Sequence, residues 1–176
     1  QRSLVGSEMC IRDRWDSAAN VARSWSAVLD GRDDIGRKIT ENDIKGVMGM
    51  PMDAIAEKLF GHLPKDRQEA VMDACGNYEN DYLRKYGGEL YPRVEETLAT
   101  LSKLHRLFIV SNCQSGYIEA FLDHYGFAKY FVDKLCWGDT RKSKGESIRI
   151  LMEKNNVEDA AYVGDIQGAV SYTHLR

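Results

Sequence analysis

The chain has 176 residues, with 24 Lys and Arg against 27 Asp and Glu for a net charge of −3, and 43% of its residues are hydrophobic. That length fits one domain, or one domain with a small insertion, and the composition is that of a globular protein able to bury a core. No apolar run approaches the roughly 18 residues of a membrane span. A weakly acidic balance without a basic block argues against nucleic acid or an anionic membrane as the main partner. Four cysteines, at 10, 75, 113 and 136, have no CxxC or other metal-ligand spacing and point to a reduced, cytoplasmic chain.

The two ends are related through the genetic code. Residues 7–14, Ser-Glu-Met-Cys-Ile-Arg-Asp-Arg, can be spelled TCG GAG ATG TGT ATA AGA GAC AG-. The reverse complement of that string reads, after the tail of an alanine codon, Val-Ser-Tyr-Thr-His-Leu-Arg, which is residues 170–176 following Ala169. The string resembles a transposase-delivered sequencing-library adapter, whose upstream part also accounts for residues 4–6. Such segments are set aside before fold reasoning. The expectation is that residues 1–14 and 170–176 are adapter-derived and not native, with Arg14 and Ala169 as hybrid codons.

Residues 18–88 read as helices. Asp16 or Ser17 can cap a helix through Val21, Trp25, Val28 and Leu29, closed by Gly31. Residues 40–43, Thr-Glu-Asn-Asp, resemble a capping box opening a short helix that ends near Gly46. Pro51 starts another, with Ile55, Leu59 and Phe60 on one face. Pro64 begins the longest, in which Val71, Ala74, Cys75, Tyr78 and Tyr82 recur at helical spacing up to Gly87 and Gly88.

From Tyr91 the pattern changes. Helix 93–104 carries Val94, Leu98, Leu101 and Leu104 inward, and residues 107–110, Leu-Phe-Ile-Val, read as a buried strand. Helix 115–125, a strand at 134–137, helix 145–155 and a strand at 160–163 follow. Short apolar strands alternating with helices imply a parallel sheet covered on both faces.

In open α/β sheets, ligands sit beyond the carboxyl ends of the strands. Ser111 and Asn112 follow the first strand, Gly164 and Asp165 follow the last, and Lys142 and Lys144 lie in the loop between. A hydroxyl, an ammonium and a carboxylate converging on one sheet edge suit a phosphoryl group with a divalent cation. His62, His105 and His124 lack ligand spacing. Cys113, without a histidine near it in sequence, reads as no nucleophile.

Four stretches in order carry a resemblance: Trp15-Asp16-Ser17, Phe108-Ile109-Val110-Ser111-Asn112, Ser143-Lys144-Gly145-Glu146, and Tyr162-Val163-Gly164-Asp165-Ile166-Gln167-Gly168. Together they resemble the haloacid dehalogenase-like (HAD) hydrolases, in particular phosphoglycolate-phosphatase-like members with a helical cap. The resemblance implies an α/β fold, a Rossmann-like three-layer parallel-sheet core (15–17 and 89–169) with an inserted all-helical cap (18–88). Its first strand and last core elements are expected to be truncated.

By the same resemblance, Ser111, with Asn112, binds the phosphoryl group. Lys144, rather than Lys142, steadies the nucleophile and the phosphate, and Asp165 binds Mg²⁺. An aspartate attacks phosphorus, and a second one two residues on acts as acid and base. In register, the motif Asp-x-Asp-Gly-Thr-Leu falls on positions 9–14. The nucleophile position is then Met9 and the acid/base position Ile11, while Asp13 falls where the threonine belongs. Ala169 stands where a second acidic residue is expected.

Arg93 stands where many relatives have glycine, free to meet a substrate anion or to face water. The expected function is a Mg²⁺-dependent phosphatase of a small phosphorylated metabolite, such as phosphoglycolate or a sugar phosphate, with this chain inactive for want of its nucleophile. The alternatives are a metal-free haloacid dehalogenase and a non-catalytic binding protein.

Overall fold

A computed structural model describes residues 3–6, 15–32 and 34–163. The chain opens with β1 (Ser3–Gly6) and β2 (Trp15–Asp16), then enters four helices: α1 (Ala18–Leu29), α2 (Glu41–Lys45), α3 (Met52–Phe60) and α4 (Lys65–Tyr86). A short strand β3 (Glu89–Leu90) leads into α5 (Val94–Leu104), β4 (Leu107–Ser111) and α6 (Tyr117–Tyr125). A 3₁₀ turn (Phe127–Tyr130), β5 (Asp133–Cys136), α7 (Trp137–Thr140), α8 (Lys144–Lys154) and β6 (Ala160–Val163) complete it.

The main sheet is parallel, in the order β5-β4-β1-β6. In β4 the side chains divide by parity, as the pleat requires. Leu107 and Ile109 join the core shared with the helical segment, whereas Phe108 and Val110 join a second core with Ile148, Leu151, Ala160 and Tyr162. Both faces are therefore covered, and the α/β class read from the sequence holds.

The expected loss of the first strand is corrected. Ser3–Gly6 fills the central place, with Val5 opposite Phe108 on one side and Tyr162 on the other. Ladder pairing is made by backbone N–H and C=O groups, so any chain that can extend there satisfies both neighbours.

Two helix starts in the helical segment are fixed by local chemistry. Thr40 and Asp43 form the capping box reciprocally: the Thr40 hydroxyl accepts from the Asp43 N–H at 3.2 Å, and the Asp43 carboxylate from the Thr40 N–H at 2.9 Å. The Asp16 carboxylate, rather than the Ser17 hydroxyl, accepts from the Ala18 N–H at the start of α1. Antiparallel pairing of Trp15 with Leu90 and Asp16 with Glu89 brings together the two points where the helical segment leaves and rejoins the sheet layer.

Trp15 is fully buried, edge-on to Tyr117, Phe121 and Tyr125 with centroids 5.2–6.0 Å away. Truncation to alanine removes this contact set, and we expect Trp15→Ala to lower stability by about 3–5 kcal/mol. Urea unfolding measures it, and a loss under about 1 kcal/mol would show that the site collapses around the gap.

Three assignments shift. In α5, Leu104 is 60% exposed rather than inward, so Leu98 alone of the expected face is fully buried. In α4 the inner face runs through Val71, Cys75, Glu79, Asn80 and Leu83, leaving Tyr78 exposed. The strand at 134–137 is Asp133–Cys136, and Trp137 opens a helix whose capping box pairs Cys136 with Asp139. No helix among the described residues is long and apolar enough to cross a membrane.

Candidate active site

The carboxyl end of β4 delivers Ser111, buried and in register with Cys136 of β5. Its hydroxyl oxygen accepts from the Cys113 N–H at 3.3 Å, and its own O–H has no acceptor among the described residues. A donor at the end of a parallel strand is placed to meet a phosphoryl oxygen. Asn112 is half-buried, and its side-chain amide donates to the Gly49 carbonyl of the helical segment at 3.5 Å.

The loop after Ser111 is held from two sides. Gly138 donates its N–H to the Cys113 carbonyl at 3.0 Å. A Cβ on Gly138 would come within 2.1 Å of the Ser115 nitrogen, so only glycine allows this approach. Asp139 receives the Ser115 hydroxyl at 2.6 Å and the Cys136 N–H at 3.1 Å. Burial pushes the Asp139 carboxyl up, but the Ser115 and Cys136 bonds outweigh it and leave it below the usual range.

At α8, Ser143 and Glu146 cap the helix reciprocally, which gives both a structural role. Lys144 begins the helix, half-buried, with its ammonium 6.0 Å from the Tyr162 ring centroid, whereas Lys142 is exposed. Arg93 adopts φ +66° at the start of α5 and pairs with Glu96 at 3.1 Å, an exposed contact that faces water. A left-handed φ of this kind favours glycine.

Asp165, Met9, Ile11, Asp13 and Ala169 lie outside the described residues. Among the described residues no cluster of three His, Cys, Asp or Glu side chains could hold a metal ion. Two described carboxylates bond into the loop after Ser111, and both are committed: Asp139 to Ser115 and Cys136, and Glu79 to Gln114 and Trp25. The described donors therefore do not make a Mg²⁺ site. His62 and His124 bond backbone carbonyls of Ile35 and Arg84.

A cavity of about 90 Å³ lies where Ser111 meets the helical segment, walled by Val21, Trp25, Ile44, Val47 and methionines 48, 50 and 52. Glu79 of α4 also lines it. One carboxyl oxygen of Glu79 accepts from the Trp25 indole N–H at 2.5 Å, and the other from the Gln114 amide at 3.0 Å. Burial pushes the Glu79 carboxyl up to about 7, with those two bonds pulling the other way. Sequence reading missed Glu79, and helical spacing from Val71, Cys75 and Leu83 is the pattern that could have found it.

The fold is thus an α/β sheet with a buried hydroxyl at a strand end and a helical segment packed beside it. The model of the haloacid dehalogenase-like hydrolase family matches residues 15–170, and the chain belongs to that family. It is similar to a phosphoglycolate phosphatase of Vibrio parahaemolyticus, 27% identical over 139 residues, which cover 72% of this chain and 60% of the relative. The chain thus spans less than two thirds of that relative's length.

Among solved structures it resembles a Bacteroides fragilis protein described as a haloacid dehalogenase-like hydrolase. The TM-score is 0.78 at 20% identity, over 98% of this chain and 83% of that one. A Haemophilus somnus protein described as a predicted phosphoglycolate phosphatase gives a TM-score of 0.77 at 22% identity, over 97% and 81%. At these identities the likeness is one of fold.

Proposed function

We propose that the complete protein hydrolyses a small phosphomonoester, and that this chain does not turn over because Met9 and Ile11 stand where the two reacting aspartates belong. The observation that carries the reading is Ser111, buried at the carboxyl end of β4 and lining a cavity beneath the helical segment. A phosphoryl group there would take the Ser111 hydroxyl as donor, and the positive charge assigned by the family resemblance is that of Lys144.

The family match over 15–170 and the β2–β3 pairing support a division into a core (15–17 and 89–169) and a cap (18–88). That match also begins at the residue where the adapter reading ends. Mg²⁺ enters only through Asp165, as the resemblance has it, and no chemistry is assigned to a metal on the described donors. Free thiols at Cys75, Cys113 and Cys136 support a reducing, cytoplasmic setting.

Assay of this polypeptide on p-nitrophenyl phosphate with added Mg²⁺ tests the second half of the proposal. The expected rate equals that of its Asp165→Asn variant. A rate clearly above that variant's would mean that a nucleophile is present after all, and would overturn the assignment of Met9 and Ile11.

A further inference from the structure

The cavity beside Ser111 has a composition that bears on the rest of the substrate. No Lys, Arg or His is among the described residues that line it. Its ionisable carboxyl is Glu79, 3% exposed, with one bond accepted on each oxygen. A carboxylate offers about four lone-pair sites, so each oxygen can take one more donor. Besides Ser111, Gln114 and Tyr117 the remaining wall is mainly apolar, and its three methionines can adapt to an irregular shape.

Accepting Ser111 as the phosphoryl-binding group, we propose that this cavity holds the alcohol part of the phosphomonoester. It selects a short, mainly aliphatic alcohol bearing a hydroxyl or ammonium donor for Glu79, against one bearing a second anion. The size follows from comparison with an engineered apolar cavity of about 150 Å³ that takes benzene, which makes about 90 Å³ fit about four non-hydrogen atoms. The charge preference follows from what a second anion would meet. A carboxylate entering here would lose its water, find no cation among the described lining residues and lie near Glu79, and like charges in low dielectric repel strongly. An ammonium or hydroxyl instead completes the acceptor capacity of Glu79. The glycolate part of phosphoglycolate is therefore disfavoured.

The test is an NMR titration of this chain at about pH 8, above the Glu79 value of about 7. It follows the indole N–H of Trp25 with three probes: n-butylammonium, 1-butanol and glycolate. The first two should shift the Trp25 resonance, glycolate should not, and the indoles of Trp15 and Trp137 should stay in place. Glu79→Gln should weaken n-butylammonium about tenfold while 1-butanol changes little. Met50→Trp, which fills the cavity from a half-buried wall position, should abolish both without touching the carboxyl.

Binding of glycolate as tight as the others, indifference to Glu79→Gln, or no response at Trp25 to any probe would overturn the proposal. Probe binding needs no nucleophile, so the two readings fail separately. Hydrolysis by a chain with the aspartates supplied, alongside a failed titration, overturns only the cavity assignment; the converse overturns only the phosphatase reading.

Discussion

Supplying aspartates by Met9→Asp and Ile11→Asp, with Ala169→Asp for the second acidic position, should turn an inactive chain into one that hydrolyses p-nitrophenyl phosphate in the presence of Mg²⁺. The gain should be on the order of 10⁴-fold or more, because losing a nucleophile removes the covalent route and the contributions of the groups acting with it. Ser111 stands at the end of β4, and the helical segment lies over it. β1 occupies the central place in the sheet and ends at Gly6, three residues before Met9. Adding Ser111→Ala to the triple variant should return most of the gain, since it removes the donor to the phosphoryl oxygen. Initial rates over substrate concentration measure both effects.

The second large effect is one of pH on stability. Burial raises the Glu79 carboxyl from 4.5 to about 7, so the fold favours its protonated form. Stability from this group is complete below about pH 4.5 and falls as pH rises towards 7. Above that the loss is constant at about 3 kcal/mol, by the equivalence of one pKa unit to about 1.36 kcal/mol. Glu79→Gln keeps the shape, remains neutral and removes the dependence. The difference in urea-unfolding free energy, variant minus wild type, should therefore grow by about 3 kcal/mol between about pH 4.5 and pH 8.

The groups facing Glu79 do not obscure this. Burial and the Glu79 charge push the Cys75 thiol up to about 12, against a small opposing effect of Arg32, and the same two causes raise the Tyr117 phenol. Both stay neutral across the window. A flat difference would mean that Glu79 titrates as an exposed carboxylate, which would contradict its burial.

Much of the scaffold was legible because local patterns carry it. Residues 107–110 had to be a buried strand, and the Thr40–Asp43 spacing was readable as a helix start from side chains three residues apart. Ser111 and Asn112 were singled out by position, at the carboxyl end of a strand.

What escaped depends on partners distant in sequence. Glu79 and Asn80 sit on the inner face of α4, where apolar counting put Tyr78 and Tyr82. Their burial is offset by bonds to Trp25, Gln114 and Ser115, and no local pattern encodes those. The two-residue strands β2 and β3 are too short for any period to be read, and the Cys136–Asp139 cap hid a one-turn helix inside what reads as a loop. Leu104 is exposed at the end of α5, although Leu101 of the same turn packs against the core.

The most direct measurement is an acid quench of the triple variant during turnover, followed by mass analysis of its peptides. A phosphoryl adduct on the peptide spanning position 9, absent when Met9 is left unchanged, is the predicted result. Hydrolysis with no adduct at that position, or with an adduct elsewhere, would contradict the placement of the lost nucleophile and the phosphatase chemistry built on it.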